Sequence, residues 1–159
     1  MNIVYSYFVL DIVHRGHLMM LKNAKAMAGP DGRLIVGIVS DEAVLAKKGK
    51  VPILDFSERL ELANAIEFVD LVVGQQDYTP FKNVRNIVPN ILMESESHDD
   101  AQIEEGRKLM AELGGSVIVL PYFQGQSSTS IKTKITIAKN LEEQVLLLLL
   151  LLPLVREVI

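Results

Sequence analysis

The sequence predicts an α/β protein: an open parallel sheet of about five strands with helices on both faces. Three observations lead there. Apolar, β-branched runs of strand length recur along the chain, at Ile3–Val9, Arg33–Val39 and Ser116–Leu120. Between such runs lie helix-length segments, and a crossover of that size brings the next strand back parallel to the last. No repeat or linker divides the first 140 residues, a usual length for one domain, so residues 1–140 are expected to fold together.

Taken in order, Ile3–Val9 is a buried strand. From about Arg15 to Met27 the positions Leu18, Leu21, Ala24 and Ala28 keep helical spacing, and Gly29-Pro30-Asp31-Gly32 ends the helix. Arg33–Val39 is continuously apolar, as in a strand covered on both faces. A short helix follows Asp41, then a loop with Lys47, Lys48, Gly49, Lys50 and Pro52. Asp55 or Ser57 caps the next helix, whose apolar stripe is Leu60, Ala63 and Ile66. Phe68–Val73 is expected as the third strand and Asn90–Met93 as the fourth. Ile103, Leu109, Met110 and Leu113 mark a helix from Asp99 to Leu113, closed by Gly114-Gly115. Ser116–Leu120 is the fifth strand. After the turn Pro121–Gln126, Ser127-Ser128-Thr129 opens a helix running through Ile131, Ile135 and Ala138. Helices on both faces of such a sheet make a doubly wound, Rossmann-like architecture.

Composition removes several classes of function. With 49% hydrophobic and 23% charged residues, the body of the chain is not disordered. Sixteen Lys and Arg against twenty Asp and Glu give a net charge of −4, so no nucleic-acid partner is expected. Cysteine is absent, which excludes disulfides, thiolate metal sites and cysteine nucleophiles and fits a reducing, cytoplasmic setting. The start, Met1-Asn2-Ile3-Val4-Tyr5, lacks the pattern of a secretory signal. Residues 141–159 form a leucine-rich extension with seven leucines from Leu146 to Leu152, well short of the roughly 20 residues that span a bilayer. A homodimer interface is the preferred reading of that run. A membrane-peripheral contact and a lead-in to a fused domain are the others.

Ligands of open α/β sheets bind beyond the carboxyl ends of the strands, and two segments with phosphate-handling chemistry lie there. Asp11-Ile12-Val13-His14-Arg15-Gly16-His17 joins the first strand to the first helix. His14 and His17, three apart at a helix start, can turn both imidazoles to one side, and Gly16 is expected to let a ligand approach the backbone. The free N–H groups and dipole of the helix start add to this receptor for phosphoryl charge. Gly125-Gln126-Ser127-Ser128-Thr129-Ser130-Ile131-Lys132 places hydroxyls and a cation at a second helix start. Singly, a histidine pair is often a capping feature and a Ser-Ser-Thr run an N-cap. Their joint placement at strand ends is what points to chemistry. His98, in Glu94-Ser95-Glu96-Ser97-His98-Asp99-Asp100, has no second histidine at a ligand spacing, so a solvated acidic loop is expected there and no protein metal site.

This order of motifs, a strand before HRGH and a last strand before QSSTSIK, resembles the cytidylyltransferase family of nucleotidyltransferases over roughly residues 2–139. Ser40-Asp41-Glu42, Arg59 and Phe68-Val69-Asp70-Leu71-Val72 are similar to further family segments. The resemblance implies that His14 and His17 contact the nucleotide phosphates and stabilise the transition state. It implies that Lys47, or Lys50 with a shifted loop alignment, reaches the triphosphate. Asp11, Gly16, Tyr7, Phe8 and Val9 fall at the expected nucleotide site, with Ser127, Ser128, Thr129 and Lys132 on the β- and γ-phosphates. Phe8 stands where the family usually has a glycine, and Glu67 and Tyr122 where arginines are common. The expected reaction is transfer of CMP from CTP, carried with Mg²⁺, to a small phosphate or phosphonate acceptor, with release of pyrophosphate. The alternatives are an adenylyltransferase using ATP and a non-catalytic nucleotide-binding module.

Overall fold

A computed structural model describes residues 1–123 and 125–156, which divide into two compact units, Met1–Gly125 and Gln126–Ile159. Gln124 of the expected turn, residues 157–159 and the side chains from Leu151 onward lie outside the described residues.

The first unit is a five-stranded parallel sheet in the order β3-β2-β1-β4-β5. Its elements are β1 (Ile3–Phe8), α1 (Arg15–Ala28), β2 (Arg33–Val39), α2 (Asp41–Lys48), α3 (Phe56–Asn64), β3 (Leu71–Gln75), α4 (Phe81–Ile87), β4 (Ile91–Ser95), α5 (Asp100–Glu112) and β5 (Ser116–Leu120). The strands run outward from β1 to β3, and the chain then returns to place β4 on the other side of β1. That reversal puts a switch point between β1 and β4, with a crevice at their carboxyl ends.

Successive strand residues point to opposite faces, and both faces are covered. Val4, Leu34, Val36 and Ile38 pack with Leu21, Ala24 and Ala28 of α1 and Ala63 of α3. Tyr5, Ile35, Val39 and Leu92 pack with Val44 of α2, Phe81 and Val84 of α4, and Leu109 and Met110 of α5. This two-sided burial is why the strands read as unbroken apolar runs.

Four details differ from the sequence expectation. β3 begins at Leu71 because Val69 bonds back to Ile66 in a turn and Asp70 is tied to the Leu34 amide at 2.7 Å. β4 continues to Ser95, which carries Glu94 into the sheet. Lys47 and Lys48 end α2 instead of lying in a loop, and Gly49, at φ 70, terminates that helix. α4 is an added element: Phe81 and Val84, its two buried anchors behind Pro80, are too few to show a period in the sequence.

The second unit holds α6 (Ser128–Arg156). Its start is capped reciprocally, the Ser130 amide donating to Ser127 Oγ at 3.0 Å and the Ser127 amide to Ser130 Oγ at 3.1 Å. The leucine run lies within this helix, with Leu146 to Leu150 exposed. Among the described residues, no helix is long and apolar enough to cross a membrane.

Candidate active site

β1 ends at the sheet's centre, and the chain turns immediately to begin α1. Leu10, buried at a φ of 57, makes that turn. Left-handed backbone is unfavourable for a leucine and persists only where its surroundings hold it. His14 then caps α1: its backbone is extended, and its Nδ1 accepts from the Gly16 amide at 3.1 Å. An accepting Nδ1 places the ring proton on Nε2, so His14 offers an N–H outward from the cap.

Gly16 serves this cap in a way that differs from the expected ligand approach. A Cβ built on Gly16 would lie 2.9 Å from His14 Cε1 and 3.0 Å from Nδ1. The missing side chain makes room for the imidazole itself. The His14 and His17 rings lie 3.9 Å apart between centres at 31°, and Phe8 meets the His17 ring edge-on at 5.8 Å. Phe8, His14, Gly16 and His17 are thus gathered at one helix start.

Burial pushes the His17 pKa down to about 4; the nearby His14 adds to the shift, and a backbone bond with Ile12 opposes it. Burial lowers His14 as well. Both rings are therefore neutral at pH 7. A folded-state value below the unfolded one means that the unfolded chain binds more protons as pH drops from about 6.5 to 4, so stability falls with pH across that window. Denaturant midpoints measured from pH 7 to pH 4.5 are expected to decline more steeply in the wild type than in His17→Asn. Parallel declines would remove this account of His17.

The neighbouring loop is held from below. Asp11 Oδ1 accepts from the amides of Ile53 (2.7 Å) and Leu54 (3.0 Å). Arg59, fully buried, donates to the carbonyls of Leu54 and Val9 and pairs with Asp41 at 2.6 Å. Asp11 and Val9 are accordingly bound up in positioning the chain around the HRGH segment. Lys47 and Lys48 each stand 5.9 Å from the Tyr78 ring centre, on the last turn of α2.

Tyr7 goes elsewhere. It is buried on the α5 side, where its hydroxyl donates to Glu94 at 2.8 Å and accepts from Gln102. His98 pairs with the same carboxylate and stacks obliquely on Tyr7 at 5.2 Å. The expected solvated acidic loop is corrected here: Glu94 and Ser95 are buried because β4 runs two residues further than expected. The four-residue spacing of Glu94 and His98 was the one local signal of this cluster.

In the second unit, Ser127 carries the cap of α6, and Ser128, Thr129 and Lys132 lie in its first turns. Neutral ring donors at a helix N-terminus are suited to hold phosphoryl oxygens as charge grows on them.

The chain is similar to several known proteins. Residues 9–134 match the model of a family described as cytidylyltransferase-like. The bifunctional protein HldE of Nitrobacter hamburgensis is 35% identical over 132 residues, covering 82% of this chain and 26% of the relative. That of Klebsiella pneumoniae is 34% identical over 135 residues, covering 84% and 28%. The chain thus spans about a quarter of the length of these curated relatives. The crystal structure of the lipopolysaccharide core biosynthesis protein from Thermoplasma volcanium aligns with a TM-score of 0.62 at 26% identity, over 79% of this chain and 98% of that one. A protein of unknown function from Archaeoglobus fulgidus shares the fold, with a TM-score of 0.60 at 18% identity over 80% of this chain and 94% of that one.

These relatives correct the expected transfer of CMP from CTP to a small alcohol phosphate or phosphonate. The reason is chemical. The histidines and the hydroxyl-rich helix start have chemistry suited to phosphates, which ATP and CTP share, and nothing in those motifs would read the base.

Proposed function

The chain belongs to the cytidylyltransferase-like family, and on that premise we propose that it transfers an adenylyl group from ATP to a phosphorylated sugar, releasing pyrophosphate. The stacked, neutral His14–His17 pair at the start of α1 carries this reading. The choice of ATP and of a sugar phosphate is supported by the relatives.

In this reaction an oxygen of the sugar phosphate attacks the α-phosphorus of ATP as the bond to pyrophosphate breaks. A phosphate dianion is nucleophilic without a base, so the protein's task is positioning and charge stabilisation. His14 Nε2–H donates to an α-phosphoryl oxygen, and His17 backs it in the same stack. Lys47 is proposed to hold an oxygen of the triphosphate, while in the second unit Ser127, Ser128, Thr129 and Lys132 offer phosphate-binding groups of their own at the start of α6. Mg²⁺ arrives as part of the nucleotide substrate.

Pyrophosphate release, measured with ATP or CTP against a panel of sugar 1-phosphates and alcohol phosphates, tests the reading. Turnover with ATP and a sugar phosphate, at least about tenfold above CTP, is expected; one such factor needs only about 1.4 kcal/mol of discrimination. Equal use of CTP, or turnover with alcohol phosphates alone, would overturn it.

A further inference from the structure

The cluster of Tyr7, Glu94, His98 and Gln102 takes no part in the chemistry above, yet it sits at the carboxyl ends of β1 and β4, where the strand order reverses. We propose that His98, oriented by Glu94, makes a hydrogen bond at Nε2 with a sugar-ring hydroxyl of a bound substrate. The inference rests on the adenylyl-transfer reading, in which two sugars enter the site: the ribose of ATP and the phosphorylated acceptor.

Glu94 is fully buried at the end of β4, and its Oε2 receives both the Tyr7 hydroxyl and His98 Nδ1. A carboxylate oxygen only accepts, so the bond to Glu94 is donated by Nδ1, which the Ser95 amide also approaches at 3.4 Å, and Nε2 is left for a ligand. Gln102, in the first turn of α5, donates to the Tyr7 hydroxyl and fixes the direction in which that hydroxyl gives its own proton. The His98 ring is 29% exposed, and its Nε2 has no partner among the described residues. Oε1 of Glu94 is buried with no hydrogen-bond partner. A fold that keeps such an expensive carboxylate beneath one imidazole is using it to orient that ring.

The chemistry selects the ligand group. A sugar hydroxyl can give or take a hydrogen bond at this ring nitrogen. Around it Glu96, Asp99 and Asp100 are exposed, a rim that disfavours phosphate and tolerates a neutral polyol. His98 therefore complements His14: one meets the phosphoryl group, the other the sugar.

The test compares the full chain with His98→Asn. The asparagine amide nitrogen takes the place of Nδ1 and can still donate to Glu94, while nothing replaces Nε2. Binding is measured by calorimetry for ATP, 2′-deoxy-ATP and 3′-deoxy-ATP, and for glucose 1-phosphate and mannose 1-phosphate with their 2-deoxy forms. The expected result is a Kd raised about tenfold for ATP or for a hexose phosphate, with the rise gone for one deoxy analogue of that ligand. The ligand in which it vanishes says which sugar His98 reads. A uniform rise across analogues, or no change with any of them, overturns the inference and leaves adenylyl transfer standing if the wild type turns over. A wild-type chain that neither binds ATP nor releases pyrophosphate overturns both.

Discussion

Replacing either imidazole of the HRGH segment, by His14→Ala or His17→Ala, is expected to lower kcat by about 10²–10³ with a much smaller change in nucleotide KM. The rings are 3.9 Å apart between centres, one bonded to the Gly16 amide and the other buried behind it. Donors already oriented in the free protein need no reorganisation as charge develops, so their loss falls on the transition state more than on the bound substrate. Because the two act as one stacked unit, the double variant is expected to fall little below the worse single one. Single-turnover rates with ATP and a sugar phosphate measure this directly. Turnover unchanged in His17→Ala would remove the pair from the mechanism.

The second large effect is on stability. Arg59→Met is expected to destabilise the first unit by about 3–5 kcal/mol, because methionine fills similar space without a donor. Arg59 is fully buried and serves the Leu54 carbonyl at 3.1 Å, the Val9 carbonyl and the Asp41 carboxylate. Two carbonyls would then lie unpaired beneath the 50–55 loop, and Asp41, whose side chain is 30% exposed, would turn to water. For a chain of this size the melting temperature should fall by roughly 6–20 °C. Should Arg59 serve the nucleotide directly, KM would rise while the melting temperature stayed put, and this structural account would fail.

The parts of this molecule that were legible in its sequence are those set by near neighbours. β2 and β5 match their expected bounds because strands buried on both faces read as plain apolar runs. The cap of His14 on Gly16 and the neighbouring His17 span four residues, so the gathering of both imidazoles at a helix start was visible from spacing. Phe68 and Val69 misled because they are apolar for another purpose: they cover the core from a turn instead of pairing in β3. Arg59 and Glu94 were opaque for a different reason. Each looks like a surface charge until distant partners arrive, and Tyr7 lies 87 residues from the carboxylate it bonds. The nucleotide was misjudged on the same principle, since motifs suited to phosphates carry no information about the base.

The contact between Gly16 and the imidazole before it has one more consequence. Residue 16 lies in a helix with ordinary backbone angles, where alanine is favoured over glycine by roughly 1 kcal/mol. One added methyl would strengthen that helix and, at 2.9 Å, evict the ring beside it. Helix propensity and the imidazole cap pull in opposite directions at this position, and the glycine keeps the cap.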